Sequence, residues 1–241
     1  MRICFSGTAS TGKSTLLNAF LRKWPMYGTP MKTYRDVLKE NNLPHSSSTT
    51  EDTQLTILDW MMNEHKKYNK DSLMVFDRCP WDNLAYTLQG NLNETISDEV
   101  TAATISFVRE SMKDIDIIFW LKHDPDIKII EDGVRDTNKD FIIQTDSIFQ
   151  DLFNHYSENL EADIFYPKED CPAIIPLDGK TVDDRLFFIS QFLTKEGTLI
   201  DDEPSMFDPS NLDLLEKMVT EQKDNKQKDN QIKKIAKEFT L

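Results

Sequence analysis

The stretch Arg2-Ile3-Cys4-Phe5-Ser6-Gly7-Thr8-Ala9-Ser10-Thr11-Gly12-Lys13-Ser14-Thr15 decides how the rest of the chain is read. It opens with a short apolar run, the mark of a buried strand, and passes through a loop matching GxxxxGK plus Ser or Thr into residues of helical period. Both glycines let main-chain N–H groups turn inward around phosphate oxygens. Lys13 would then reach the β and γ phosphates, and Ser14 would ligate Mg²⁺. A plain strand-to-helix turn is the rival reading, yet a chain with only seven glycines seldom matches this spacing between a strand and a helix. ATP and Mg²⁺ are therefore the expected cofactors, with Gly7 through Thr15 around the nucleotide.

Outward from that stretch, short apolar runs alternate with longer segments of helical period, as in a parallel sheet covered by helices on both faces. Strands are predicted at Arg2–Ser6, Leu73–Asp77, Ile115–Lys122 and Ala173–Leu177, with a weaker one near Pro25–Met31. Helices are predicted at Lys13–Lys23, Glu51–Tyr68, Ser97–Met112, Phe141–Leu160 and Asp183–Leu193. The expected fold is α/β of the P-loop NTPase type, nucleoside or nucleotide kinase-like: a five-stranded parallel sheet, helices on both faces and a lid at about residues 131–145. Residues 1–197 make up this domain. Residues 198–241 read as an acidic linker around Asp201, Asp202, Glu203 and Pro204, then a polar tail, partly helical or disordered, with a narrow stripe of Leu212, Leu215 and Val219.

The formal charge of -14 argues against an extended nucleic-acid surface, which needs clustered Lys and Arg, but leaves room for a local cationic pocket. Cys4, Cys79 and Cys171 are scattered without metal-ligand spacing and suit reduced thiols in a cytoplasmic protein. No run approaches a membrane span, and the apolar start is too short for a signal peptide. Neither partner macromolecule nor oligomeric state is legible.

A second motif, Asp77-Arg78-Cys79-Pro80-Trp81-Asp82, follows the apolar run ending at Phe76. In an open parallel sheet ligands bind beyond the carboxyl ends of the strands, so Asp77 would face the same opening as the loop. Its carboxylate could organise Mg²⁺ or accept the proton of an attacking hydroxyl. Equally, it could cap the following helix, with Pro80 in the first turn. A third motif, Asp132-Gly133-Val134-Arg135-Asp136, suits either a plain connection or a cover that carries a catalytic arginine. Asn138-Lys139-Asp140-Phe141 only begins like the guanine-reading NKxD motif, and no glycine has aspartate three residues before it, which argues against a GTPase switch.

Over roughly residues 1–195 these motifs resemble the NadR-type ribosylnicotinamide kinase domain and the wider group of AAA-like small P-loop kinases. The resemblance rests on the loop ending Lys13-Ser14-Thr15, on Asp77-Arg78 with Asp82, Ala85 and Tyr86, on the Asp132–Asp136 turn, and on the Asp183-Asp184-Arg185-Leu186 run. It implies that Arg135 is a lid arginine, that Arg185 belongs to the nucleotide side, and that Arg35 lies near the acceptor. Lys32 and Lys139 stand where the family pattern favours glutamate and arginine. The expected activity is transfer of the ATP γ-phosphoryl group to a nucleoside or ribosyl compound. Lys13, Asp77 and Arg135 would be catalytic, Ser14 and Asp77 at the metal, and Arg35, Arg78 and Asp82 at the small-molecule acceptor. A nucleoside monophosphate kinase is the near rival, and a nucleotide-gated interaction module the rival of another class.

Overall fold

A computed structural model describes residues 1–44, 48–125, 138–158, 171–177 and 179–200. Strand β1 (Arg2–Ser6) is buried at every position and leads through the glycine loop into α1 (Lys13–Lys23). Next come α2 (Tyr34–Glu40), α3 (Glu51–His65), β2 (Met74–Asp77), α4 (Pro80–Leu92) and α5 (Asp98–Ser111). After a short 3₁₀ turn follow β3 (Ile117–Leu121), α6 (Lys139–Glu158), β4 (Ala173–Leu177) and α7 (Val182–Ile189).

The strands form one parallel sheet in the order β2-β1-β3-β4. Alternate residues feed opposite faces, which is why the strands read as continuous apolar runs. Ile3, Phe5, Ile117, Phe119 and Leu121 pack with Leu16 and Phe20 of α1 and Ile189 of α7. Cys4, Phe76, Ile118 and Trp120 pack on the other side with Trp81 and Leu84 of α4, Val108 of α5 and Phe149 of α6.

The sheet has four strands among the described residues, not the five expected. The fifth candidate, near Pro25–Met31, is reduced to one parallel bridge between Gly28 and Met74, made by Gly28 N–H to Leu73 O and Val75 N–H to Gly28 O, both 2.9 Å. Pro30, two residues on, lacks the N–H that the next rung would require. The short α2 and the whole of α4 are absent from the periodicity reading, although Pro80 at the first helical position of α4 is a start signal. Residues 126–137, 159–170 and 201–241 lie outside the description, and with them most of the expected lid and the tail. Residues 139–145 of that expected lid are the opening turns of α6.

Candidate active site

Parallel register sets the site. Phe5 pairs with Asp77 and Ser6 with Trp120, so the carboxyl ends of β1, β2 and β3 finish level, with the glycine loop rising from the middle one. Gly7 has φ 130°, and a Cβ there would sit 2.3 Å from the carbonyl oxygen of Leu121, so only glycine fits between the loop and β3. Gly12, at φ 86°, turns the chain into α1 without a side-chain cap, and the first turn of α1 carries no acidic residue. The first N–H groups of that helix are thus left for an anion.

Lys13 curls back over the loop. Its Nζ donates to Gly7 O (2.8 Å), Thr8 O (2.5 Å) and Thr11 Oγ1 (3.2 Å). Burial, with the Arg78 charge as a second cause, pulls its ammonium down to about 7. Arg185 of α7 braces the crown of the loop, giving Nη1–H to Thr11 O (2.7 Å) and Nε–H to Gly179 O (2.9 Å). Thr8 Oγ1 reaches Ile142 O at 3.4 Å and ties the loop to the start of α6.

Beside the loop, Ser14 Oγ donates to Asp77 Oδ2 at 2.7 Å. With its proton given to the carboxylate, the serine oxygen keeps its lone pairs for a cation. Asp77 takes no part in capping α4: Cys79 is the N-cap residue, and Asp82 supplies the acid of the capping box. Asp82 is fully buried. Its Oδ2 accepts from Ser6 Oγ (2.7 Å) and Cys79 N–H (3.0 Å), and its Oδ1 from Gly7 N–H (3.1 Å) and Arg78 Nη1–H (3.1 Å). This carboxylate welds the root of the glycine loop to the start of α4.

Arg78, at φ 79° and almost fully buried, is sandwiched between Tyr34 and Tyr86, its guanidinium carbon 5.1 and 5.0 Å from the two ring centres. Its Nη2–H donates to Tyr86 Oη at 3.2 Å, and Nη1–H also approaches Gly7 O at 3.3 Å. Arg35, in the first turn of α2, lies over the Tyr34 ring. Together these residues border a cleft of about 460 Å³ that opens beside Ala9 of the loop. Tyr34, Tyr86 and Phe141 form its aromatic walls, Leu38, Ile57 and Met61 an apolar floor, and Gln54 and Asn83 a polar edge.

The structure therefore gathers Lys13, Ser14, Asp77, Arg78, Asp82, Arg35 and Arg185 at one end of the sheet, while Gly133 and Arg135 lie outside the described residues. Of the aromatic walls only Tyr86 figures among the residues of the resemblance, without an assigned role, and the two amides escaped the sequence reading. Gln54 carries a usable signal, since it precedes Ile57, Leu58 and Met61 on one helical face and is itself buried. His65 also borders this end of the sheet, but it stacks on Phe76 at 4.0 Å and burial draws it down to about 3, so it is uncharged core at neutral pH.

The family model for the AAA domain matches residues 2–160. The chain belongs to that family. This is the wider group to which the loop and Asp-Arg motifs pointed. No curated protein sequence matches this AAA domain protein significantly. Among solved structures, deoxyadenosine kinase from M. mycoides with dCMP and dCDP bound is similar at 12% identity, over 79% of this chain and 97% of that one, with a TM-score of 0.58. Thymidylate kinase from Candida albicans gives 19%, 83%, 95% and 0.56 in the same order. The NadR protein in complex with NR gives 13%, 83%, 52% and 0.55, so the chain spans about half of that protein. At such identities the likeness is one of fold, that of P-loop nucleoside and nucleotide kinases. Among the described residues no helix is long and apolar enough to cross a membrane.

Proposed function

We propose that this protein is a cytoplasmic ATP-dependent kinase that transfers the γ-phosphoryl group to a hydroxyl of a nucleoside or related ribosyl compound. The observation that carries the reading is the Ser14–Asp77 hydrogen bond, set between a bare helix N-terminus and an aromatic-walled cleft. The residues present fit a nucleotide: Ser10 Oγ is buried without a partner in the loop, and Lys13 and Arg185 bring cationic groups to it. They also fit Mg²⁺, which is usually bound by one or two protein oxygens plus phosphates and water. When bound, the metal would neutralise charge on the transferring group. Ser14 and Asp77 would hold it, directly and through water.

Lys13 would leave its carbonyl partners for the phosphates, and the loop N–H groups would hold the donor in line. Asp77 would orient the attacking hydroxyl or the metal's water shell. Arg135 is assigned to the transferring phosphoryl group from its motif alone. Asp82, with both oxygens already engaged, would position Arg78 and the loop rather than touch the acceptor.

A hydroxyl acceptor is favoured over a monophosphate by the state of Arg78. Its charge is balanced by Asp82, and both of its terminal nitrogens already donate to protein oxygens, which weakens its hold on an acceptor phosphate. The test is ADP formation, with product identified by mass, from ATP and a panel of nucleosides, nucleoside monophosphates and nicotinamide riboside. Phosphorylation of nucleosides is expected. Turnover of monophosphates alone would transfer the role to the rival kinase, and absence of any product would favour a nucleotide-gated module.

A further inference from the structure

One main-chain oxygen lies between the two halves of the site. Gly7 O accepts from Lys13 Nζ at 2.8 Å and from Arg78 Nη1–H at 3.3 Å, so two side-chain cations share the carbonyl of a buried residue. They crowd each other: after burial, the Arg78 charge is the next cause that draws the Lys13 ammonium down. On the kinase reading, Lys13 leaves Gly7 O when polyphosphate enters the loop. A buried carbonyl stripped of its shorter bond is costly, and Arg78 is a donor already within reach. Departure of Lys13 also removes the repulsion that holds the guanidinium off that oxygen.

Arg78 does not move by itself. Arg35, Tyr34, Arg78 and Tyr86 form a column in which cation and aromatic ring alternate, with guanidinium-to-ring distances of 5.5, 5.1 and 5.0 Å. Tyr86 carries it on to Phe141, whose ring centre is 6.1 Å away. The column thus runs from the first turn of α2, past the end of β2 and over α4, to the first turn of α6. At φ 79° Arg78 holds a conformation that is costly for a residue with a Cβ and kept only where the surroundings impose it. Tyr34, Tyr86 and Phe141 are also the walls of the acceptor cleft. A flat molecule seated against those walls restricts the two tyrosines that sandwich Arg78, and with them the guanidinium that faces Gly7.

We propose that Arg78 is a positioning residue that couples the two sites through Gly7 O. A ring held in the cleft fixes the guanidinium against that oxygen and so releases Lys13 to the donor phosphates. Polyphosphate in the loop, by drawing Lys13 off, lets Arg78 close on Gly7 O and sets Tyr34 and Tyr86 for the ring. Each ligand therefore tightens the other, and by the same factor, since linkage is reciprocal. The proposal rests on the kinase reading for its ligands, but it concerns binding and is measured without turnover.

Calorimetry on the full chain tests this with Mg·AMP-PNP, which does not give up its terminal phosphoryl group, and the tightest binder among cytidine, guanosine, thymidine and nicotinamide riboside. The affinity of each ligand is measured alone and with the other saturating. Mutual tightening of about 5- to 50-fold is expected. Arg78→Lys keeps the charge opposite Asp82 but loses the planar fork that spans Gly7, Asp82 and Tyr86. In that variant, checked by thermal unfolding, each ligand should still bind alone while the mutual factor falls below about 2. A merely structural role would instead weaken both ligands and leave the factor intact. If Arg78→Lys does not fold, Tyr86→Phe decides: it keeps the ring, removes the oxygen that accepts from Nη2, and should lower the factor at least threefold. No mutual tightening in the wild type, no binding of any of these nucleosides, or an undiminished factor in the deciding variant overturns the proposal. Coupled binding without phosphorylation would keep the role of Arg78 and sink the kinase reading, whereas phosphorylation without mutual tightening would do the reverse.

Discussion

Two helices begin on either side of Gly7, and they treat their N-termini in opposite ways. The start of α4 is filled by its own carboxylate: Asp82 collects N–H groups from the cap, the glycine loop and Arg78 in a fully buried site. The start of α1 has no side-chain cap and no acid in its first turn. Elsewhere Thr33, Thr50, Ser97 and Thr181 precede acidic first turns in α2, α3, α5 and α7. The same partial positive charge is therefore neutralised from within at these helices and left bare at α1, the end to which the proposed function assigns a phosphate.

The contrast can be broken most severely at Lys13. Lys13→Ala removes the mobile cation from the bare end, and turnover should fall on the order of 10³-fold in a protein that still unfolds cooperatively. Near-normal turnover would remove the phosphate role from the loop. On the filled side, Asp82→Asn leaves Arg78 buried without its counter-charge. A loss of about 3–5 kcal/mol in denaturant unfolding is expected, as for other buried pairs deprived of one partner; an unchanged midpoint would mean that Arg78 finds another balance.

Between the two ends, Asp77→Asn keeps the shape and loses the charge beside Ser14. Saturating turnover should drop about 10²-fold with little change in Tm, because Asp77 does not cap α4. An unchanged rate would move the search for the base elsewhere. Thr15→Asp sharpens the comparison by giving α1 the first-turn acid that α4 already has. Thr15 is exposed, so stability should hold or rise by about 0.3–1 kcal/mol, while nucleotide affinity falls roughly tenfold from repulsion. Affinity that is unchanged would show that the bare end is not the phosphate seat.

The smallest effect is the uptake of one proton. Lys13, drawn down to about 7 by burial, is largely neutral at pH 8, and an incoming polyanion favours the charged form. Nucleotide binding should take up roughly one proton at pH 8 and almost none at pH 6. Calorimetry in buffers of different ionisation enthalpy reads this, and Lys13→Ala should abolish it. Equal uptake by the alanine variant would place the titrating group elsewhere.

What the sequence made legible is local. The loop from Gly7 to Ser14 carries its own geometry, and β1, α1 and β4 fall at the predicted bounds because apolar runs between turn signals have few other places to go. The role of Asp82 was not legible, since its partners Ser6 and Gly7 lie more than seventy residues away and only the sheet register brings them together. The cleft was opaque for the same reason: Asn83 and Gln54 are ordinary polar residues until α3 and α4 pack side by side. The missing fifth strand was a misreading of an apolar stretch in which Pro30, at a donor position of the ladder, outweighs hydrophobicity.

That failed strand matters for how the molecule lives in a crowded solution. β2 is an outer strand, and the outer strand of a sheet is an open invitation to a second chain. Gly28 occupies the acceptor at Leu73 and the donor at Val75 that an intruder would seek, and Pro30 cannot supply the N–H for the next rung. One residue, followed by a proline that cannot add the next rung, covers the start of that flank and leaves the opposite end of the same strand free to present Asp77.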